Sequence, residues 1–571
     1  MSNKLTLLDF FCGAGGFSEG FRQEGFDIVA GYDHWEAATK TFNHNFGTTS
    51  MVKNILDFES SVEEIEKLPD TSVILGSPPC VTFSSSNISG KADKTSGITL
   101  TQIFLRIVAV KKWKKGSKLE AWLMENVPSS IKHLGKEYTF EELGLAEWAI
   151  KNRIGKSKVA IKLDGNQKVI NSADYGCPQS RARVISGEIV KCKRLTLPAS
   201  THDEQPSSPT SLPKWRTLRQ IREGLPRPSS PKTPILMCDP NYPSLVISSD
   251  NLTDHFYDTG LFKCEWKQSK FLKTNHPYMG KMAFPENEDR PSRTITATKI
   301  GTSREAIIFK SEYDRTGDGE FRVPTVREAA CLMGFPVTYQ FLGGITVKWR
   351  LVGNAVSPNV SRAFARQVRF ELGLPLNTKP IIEPMESVTD RSDLNTFKER
   401  IFLAPPKRNL GSRFRRHPFK NGNMTVTLSN YDIENGEKVA SHWRTSIQYG
   451  NGEGFPTFNV PDNYYRELEA KIVRMVEGKH FIYEINHRLN PRIAPRTILQ
   501  DLYEKQKSEN GYLEPTELVE EVGALIDELC LENSLCSPED ILVFKNKEIV
   551  PTKQVFALYA INKISSLANS K

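Results

Sequence analysis

Through residues 1 to about 190 this chain alternates short apolar runs with helix-like segments, and few folds accommodate such a pattern. Residues 4–10, 26–30, 72–75 and 121–124 read as buried strands, and residues 103–108 as a helix between two of them. Strands alternating with helices predict a doubly wound α/β domain built on a parallel sheet. In such sheets ligands bind outside the carboxyl ends of the strands, so the residues just after each run are the ones to inspect for chemistry.

Beyond that region the texture changes. From about 191 to 320 Pro, Ser and Thr become frequent, as in Pro226-Arg227-Pro228-Ser229-Ser230-Pro231, and regular periodicity fades. Helical patterns return at 325–333 and at about 358–372. Residues 376–410, with prolines and mixed charge, read as a linker. Residues 411–571 read as a separate α+β unit with a hairpin signal at Asn435-Gly436 and amphipathic helices near 463–477 and 515–530. A length of 571 residues with 38% hydrophobic content suits such a multidomain chain.

Several function classes fall away. No apolar stretch reaches the roughly 18 residues of a membrane span, and the N-terminus runs directly into a strand-like segment, so neither a membrane span nor a signal peptide is expected. The nine cysteines form no CxxC pair and no Cys/His cluster, so no disulfide framework and no metal site is expected. A formal net charge of +9 permits a polyanionic partner without naming one.

Three strand ends carry candidate chemistry. The first runs into Phe11-Cys12-Gly13-Ala14-Gly15-Gly16, a glycine-rich turn that lets backbone approach a ligand, with Asp33 after the second strand placed for a ribose. The third runs into Ser77-Pro78-Pro79-Cys80, where two prolines stiffen a turn and present a thiol. The fourth ends in Glu125-Asn126-Val127, a carboxylate that is costly to bury unless paired or used. Further on, Gln179-Ser180-Arg181-Ala182-Arg183 reads as a strand with both arginines on one face. Taken singly, each has a bland reading: a structural turn, a small buried thiol, a solvated acid, an exposed edge strand.

The order of these segments resembles the DNA (cytosine-5) methyltransferase family. Phe11 to Gly16 resembles its cofactor motif, Pro79-Cys80 its nucleophile motif, Glu125-Asn126-Val127 its Glu-Asn-Val motif, and Gln179-x-Arg181-x-Arg183 its Gln-x-Arg-x-Arg motif. Residues 327–336 and Gly353-Asn354-Ala355-Val356-Ser357-Pro358 resemble its closing motifs, so the likeness runs from about residue 5 to 372. The resemblance implies an S-adenosylmethionine-dependent, Rossmann-like domain in 1–190, a target-recognition domain in 191–320, and a segment, 321–375, that returns to the catalytic domain. The unit at 411–571 lies outside it.

Roles follow by resemblance. Cys80 would be the nucleophile, Glu125 would protonate the cytosine ring, and Arg183 with Arg181 would hold the base. Phe11, Gly13, Ala14, Gly15, Gly16, Asp33, His34, Asn54, Ile55, Pro79, Leu100, Asn354 and Val356 would form the S-adenosyl-L-methionine pocket. Arg293, Thr294 and Thr296, in a loop similar to one in the family, would reach DNA bases. Three positions depart from the family pattern: Val81 replaces a common Gln, His34 a common Trp, and Asn54 a common Asp. The implied partner is double-stranded DNA, met by a monomer in the cytoplasm at the nucleoid, with a cognate restriction endonuclease as genetic partner. A tRNA cytosine-5 methyltransferase and a non-catalytic DNA-binding regulator are the alternatives. The long recognition region favours DNA over tRNA, and an intact Cys80, Glu125 and Arg183 is more than a pure binder needs.

Two basic clusters remain. Arg413 to Lys420, with aromatics interleaved, could touch a DNA backbone or be a solvated face, and 111–115 reads as an exposed helix end.

Overall fold

The chain divides into two compact units, Met1–Pro405 and Pro406–Lys571. The computed structural model describes residues 4–79, 95–254 and 263–382 of the first unit, except 49, 207–210, 229–233, 276–280, 298–300, 302 and 313–319. In the second it describes 416–529, except 422–423, 435–436, 450–456 and 506, together with 535–536 and 550–570.

The apolar runs become the strands of one seven-stranded sheet. In chain order these are β1 (Thr6–Phe10), β2 (Asp27–Asp33), β3 (Met51–Val52), β4 (Val73–Gly76) and β5 (Ala121–Asn126). A separate small pair follows, β6 (Glu137–Thr139) with β7 (Val159–Lys162), and then β8 (Gln167–Asn171) and β9 (Ala182–Ile189) complete the sheet. The order is β3-β2-β1-β4-β5-β9-β8, reversing direction from β1 toward either edge as doubly wound sheets do.

One expectation is corrected: the sheet is mixed. β1 to β5 pair in parallel, but β9 runs antiparallel to both β5 and β8. The connection from β8 to β9 is too short for a crossover and allows only an antiparallel return. That reversal matters for the site, because it brings the start of β9 beside the carboxyl end of β5.

Helices flank the sheet: α1 (Gly16–Arg22), α2 (Glu36–Phe46), α3 (Asp57–Ser60), α4 (Val62–Lys67), α5 (Thr95–Trp113) and α6 (Ala146–Lys151). Later in the unit come α7 (Leu218–Gly224), α8 (Lys263–Thr274), α9 (Val326–Met333), α10 (Ile345–Asn354) and α11 (Pro358–Glu371). Leu332 and Val352 of α9 and α10 share a core with Ala14 and Ala38 near the start of the chain and with Leu218, Ile221 and Ile295 of the region 191–320, while Phe364 and Val368 of α11 pack with Phe17 and Phe21 of α1. Thr325 caps α9 with a reciprocal Glu328 bond, and buried Arg322 clamps Glu328 through two 2.7 Å contacts. Among the described residues no helix is long and apolar enough to cross a membrane.

The basic cluster at 111–115 is not the exposed helix end expected. Lys111 is buried, donating to Asp70 at 2.9 Å and to the Leu68 carbonyl, and Lys112 meets Glu188 at 2.6 Å. Those charges are neutralised where α5 packs on its neighbours, which is why the cluster serves the fold.

In the second unit, strands Arg416–Asn421, Met424–Glu434, Glu437–Tyr449 and Thr457–Asn459 form an antiparallel sheet. Glu434 pairs with Glu437, leaving a two-residue connection at 435–436, the position of the hairpin signal, which lies outside the described residues. Val426, Leu428 and Ile447 form one core with Phe556 and Ile561 of helix Thr552–Ser570 and with Leu518, Val522 and Ile526 of helix Pro515–Glu528. The helix expected at 463–477 is shorter, Tyr465–Ile472. Within the basic opening, His417 is buried and Pro418 and Lys420 are exposed, the alternation of a strand with one covered face; 413–415 lie outside the described residues.

Candidate active site at the carboxyl ends of the strands

The glycine-rich turn closes β1 tightly. Phe11 and Gly13 adopt left-handed φ values of 55° and 53°, and the Gly13 amide donates to Asp33 Oδ2 at 3.0 Å. The other Asp33 oxygen accepts from the Trp35 amide at 2.9 Å and lies 3.3 Å from His34 Nδ1. Asp33 therefore pins the turn to the end of β2. Each oxygen still has lone-pair capacity for a hydroxyl. A Cβ added at Gly16 would collide with the Val356 carbonyl oxygen, so glycine is what lets the closing segment lie against the start of α1. Tyr339 donates its hydroxyl to the Ala14 carbonyl and braces the turn from the recognition side.

The remaining cofactor candidates differ in exposure. Ile55 and Val356 are buried, Pro79 and Leu100 are half-buried, and Asn54 and Asn354 are exposed. Asn54 accepts the Leu56 amide at 3.1 Å, so its side chain caps a turn. The His34 side chain is 69% exposed, which leaves its ring open toward solvent.

Beneath the turn lies a carboxylate that motif and spacing do not single out. Asp9, fully buried in β1, accepts from Ser18 Oγ at 2.7 Å. Burial pushes its pKa up to about 7, against that hydrogen bond and with the Asp33 charge adding to the rise.

Cys80 lies outside the described residues, as does Val81, but the strand and turn leading to the thiol are described. Ser77 donates its hydroxyl to the Phe11 carbonyl at 2.9 Å, tying the end of β4 to the cofactor turn. Asn126 donates to the Pro78 carbonyl at 3.3 Å while its own Oδ1 accepts the Val127 amide at 2.8 Å. The Asn of the Glu-Asn-Val segment thus fixes the chain two residues before Cys80. No role for it was expected, because an amide beside a candidate acid carries no signal of its partner.

Glu125, the penultimate residue of β5, is 7% exposed, with Oε1 2.8 Å from Arg183 Nε. The antiparallel pairing of β5 with β9 sets this up, and it places a paired carboxylate and guanidinium at the same sheet end as the cofactor turn. A mostly buried carboxylate needs such a partner, and the pair can present hydrogen-bonding edges to a planar polar ring.

Arg181 does something else. β9 begins at Ala182, so Arg181 precedes the strand and does not share a strand face with Arg183. Its buried guanidinium donates to the carbonyls of Ile295 and Gly353 at 3.0 Å each, and to that of Ala355 at 3.4 Å. It acts as a strap between three chain segments, which makes it a positioning residue. Gln179 adds to the strap: its Oε1 accepts the Ile295 amide at 3.2 Å.

The recognition loop is held against the same segment. Ser292 donates to the Pro178 carbonyl at 2.9 Å and accepts from the Ser180 amide at 2.8 Å. Thr294 donates to the Ser180 carbonyl at 3.3 Å, and the Thr296 carbonyl accepts from Trp349 Nε1 at 3.0 Å. Arg293 is engaged internally, with Nε 2.8 Å from Glu286 Oε2. All three are half-buried and bound to neighbours within the protein.

Known proteins are similar to this chain over most of its first unit. The C-5 cytosine-specific DNA methylase family matches residues 5–369. The type II methyltransferase M.MthTI of Methanothermobacter thermautotrophicus is 26% identical over 382 residues, covering 65% of this chain and 99% of its own. M.HgiDI of Herpetosiphon aurantiacus, another type II methyltransferase, is 38% identical over 377 residues, covering 65% of this chain and 96% of its own. The matched span takes in β1 to β9, the glycine turn, Glu125, the Arg181 strap and most of α11, and stops before the second unit. This chain belongs to the C-5 cytosine-specific DNA methylase family and is a DNA (cytosine-5) methyltransferase.

Proposed function

We propose that the chain methylates carbon 5 of a cytosine flipped out of duplex DNA, through a covalent adduct on Cys80. The supporting observation is the Glu125–Arg183 pair at the end of β5, beside an Asn126 that fixes the backbone leading to Cys80. Carbon 5 of cytosine is a weak nucleophile. Attack of the Cys80 thiolate on carbon 6 pushes the ring electrons toward carbon 5, and Glu125 supports protonation at N3. Arg183 holds the ring edge and Glu125 together. After methylation, loss of the carbon 5 proton and expulsion of the thiolate restore the aromatic ring and the free enzyme. The ring face is closed inside a stacked duplex, so the base must leave it.

S-adenosylmethionine, when bound, supplies the electrophilic methyl group. The residues present suit it: Asp33 retains acceptor capacity for ribose hydroxyls, and the space beside Gly13 is open, a Cβ there meeting nothing within 4 Å. Phe11, Ile55, Leu100 and Val356 would exclude water around it.

Bases would be read by the recognition region, with Thr294 and Thr296 held beside the Arg181 strap. Arg293, paired with Glu286, would shape the loop in place of reading a base. The relatives' description as type II methyltransferases supports a role in protecting DNA from a cognate restriction endonuclease. The enzyme would act as a monomer on nucleoid DNA in the cytoplasm.

The covalent step has a direct test. In duplex DNA carrying 5-fluorocytosine, fluorine replaces the departing proton and stalls the adduct. The wild-type chain with S-adenosylmethionine should give a denaturant-stable protein–DNA complex, and Cys80→Ser should give none. A stable complex with the serine variant refutes the assignment of the nucleophile.

A further inference from the structure

A second cavity, of about 760 Å³, opens between the first turns of α11, the chain after β8 and the recognition segment around Arg216 and residues 241–245. None of the cofactor or catalytic positions above lines it. Four cationic side chains do: Arg216, Arg362, Arg366 and Lys379, and no aspartate or glutamate is among the described residues of its wall.

The three guanidinium groups are held in place by neighbouring groups. Buried Glu24 takes Arg362 Nε at 2.7 Å and Arg366 Nη1 at 3.3 Å, fixing two guanidinium groups while offsetting one charge. Arg216 is anchored from the opposite side by the Pro240 carbonyl at 2.7 Å and by Asn241. Lys379 is exposed at 378–382, a stretch stapled to the body where Ile381 donates to the Gln23 carbonyl at 2.9 Å. Tyr175 and Leu245 add apolar wall.

Fixed guanidinium groups facing a shared cavity suit phosphate oxygens, which they can bind in bidentate fashion. A cavity of this size accommodates a nucleotide-sized ligand, and the mixture of apolar wall with clustered cations fits a group carrying phosphate beside a sugar or base. We propose that this cavity binds the phosphate of a nucleotide through Arg216, Arg362, Arg366 and Lys379. The occupant bridges the last helix of the catalytic body to the recognition segment. Two sources share this chemistry: a free nucleotide, or a nucleotide unit of a DNA strand. The DNA source rests on the reading that the chain acts on DNA; the free source does not.

The test uses the full chain with two probes, ADP and a short DNA duplex, each titrated into wild type, Lys379→Glu and Arg362→Gln. Lys379 is exposed, so its variant should fold normally, which a matching thermal transition checks. A free-nucleotide site predicts that ADP binds the wild type and weakens at least tenfold in Lys379→Glu. A DNA-strand site predicts that the slope of log affinity against log salt becomes shallower by roughly one for each phosphate no longer neutralised. If neither probe shows binding that depends on these side chains, the proposal is overturned. Glu125→Gln serves as the separating control: it should slow methyl transfer by about 100-fold or more while leaving the ADP titration as in wild type.

Discussion

Replacing Arg181 by methionine removes a guanidinium that donates to the carbonyls of Ile295 and Gly353 at 3.0 Å and of Ala355 at 3.4 Å. Two of those bonds have good length; the third is weak. Leaving a buried polar group without its partner costs about 1–3 kcal/mol. Methionine fills much of the vacated volume, so the loss should fall in the lower half of the range summed over the two good bonds, about 3 kcal/mol. In a unit this large that corresponds to a fall in Tm of roughly 5 °C. Because Ala355 adjoins Val356 in the cofactor wall, the KM for S-adenosylmethionine should rise as well. Thermal unfolding followed by calorimetry, with initial rates over a range of methyl donor, reads both effects. Arg181→Lys retains a charge but offers one compact donor group in place of a planar fork, so it should recover only part of the stability. An unchanged Tm with a collapsed kcat would refute the strap and return Arg181 to the base itself.

Three further outcomes follow from the same geometry. Glu125→Gln keeps an acceptor for Arg183 but loses the acid, so single-turnover methylation should slow by about 100-fold or more with the fold intact; a full-rate variant would exclude Glu125 as proton donor. Gly16→Ala forces a Cβ into the Val356 carbonyl and should destabilise by about 1–3 kcal/mol while weakening cofactor binding, read by denaturant titration and calorimetry. Asp9 has a folded pKa raised to about 7 above its ordinary value of 3.8, so the folded state holds the proton more tightly. Its favourable contribution is complete below about pH 4 and is lost as the pH rises toward and through 7. Asp9→Asn should flatten that part of the Tm-versus-pH curve between about pH 4 and 7, and an unaltered curve would show that Asp9 does not titrate there.

The fold was legible where apolar runs were continuous. β1, β4 and β5 stand out in the sequence because strands buried on both faces carry few polar residues. Strand direction was not legible: nothing in the periodicity of 182–189 says that β9 runs against β5, since direction is decided by the short return from β8. The surfaces that 321–375 covers were hidden for a similar reason. α9, α10 and α11 are all amphipathic, and a helix pattern does not name the surface it will cover.

At the site, residue types at strand ends pointed to Glu125 and Asp33 because those acids stand at the carboxyl ends of strands. The same logic gave no sign that Arg181, two residues from Arg183, spends donors on backbone carbonyls. Spacing shows which residues could share a face; only the fold shows which one has a carbonyl waiting for it. Asp9 escaped notice because an acid inside a strand run looks like ordinary alternation until its burial is known. The lysines at 111 and 112 were misread in the opposite sense, their partners Asp70 and Glu188 being distant in sequence.

Whether Cys80 carries methyl transfer to cytosine in DNA is decided by incubating the full chain with methyl-labelled S-adenosylmethionine and, separately, duplex DNA or tRNA. The DNA product is then sequenced after bisulfite treatment. The expected result is label in DNA, 5-methylcytosine at one recurrent short sequence, and no transfer by Cys80→Ser. Label in tRNA alone, or turnover undiminished in the Cys80 variant, would contradict it.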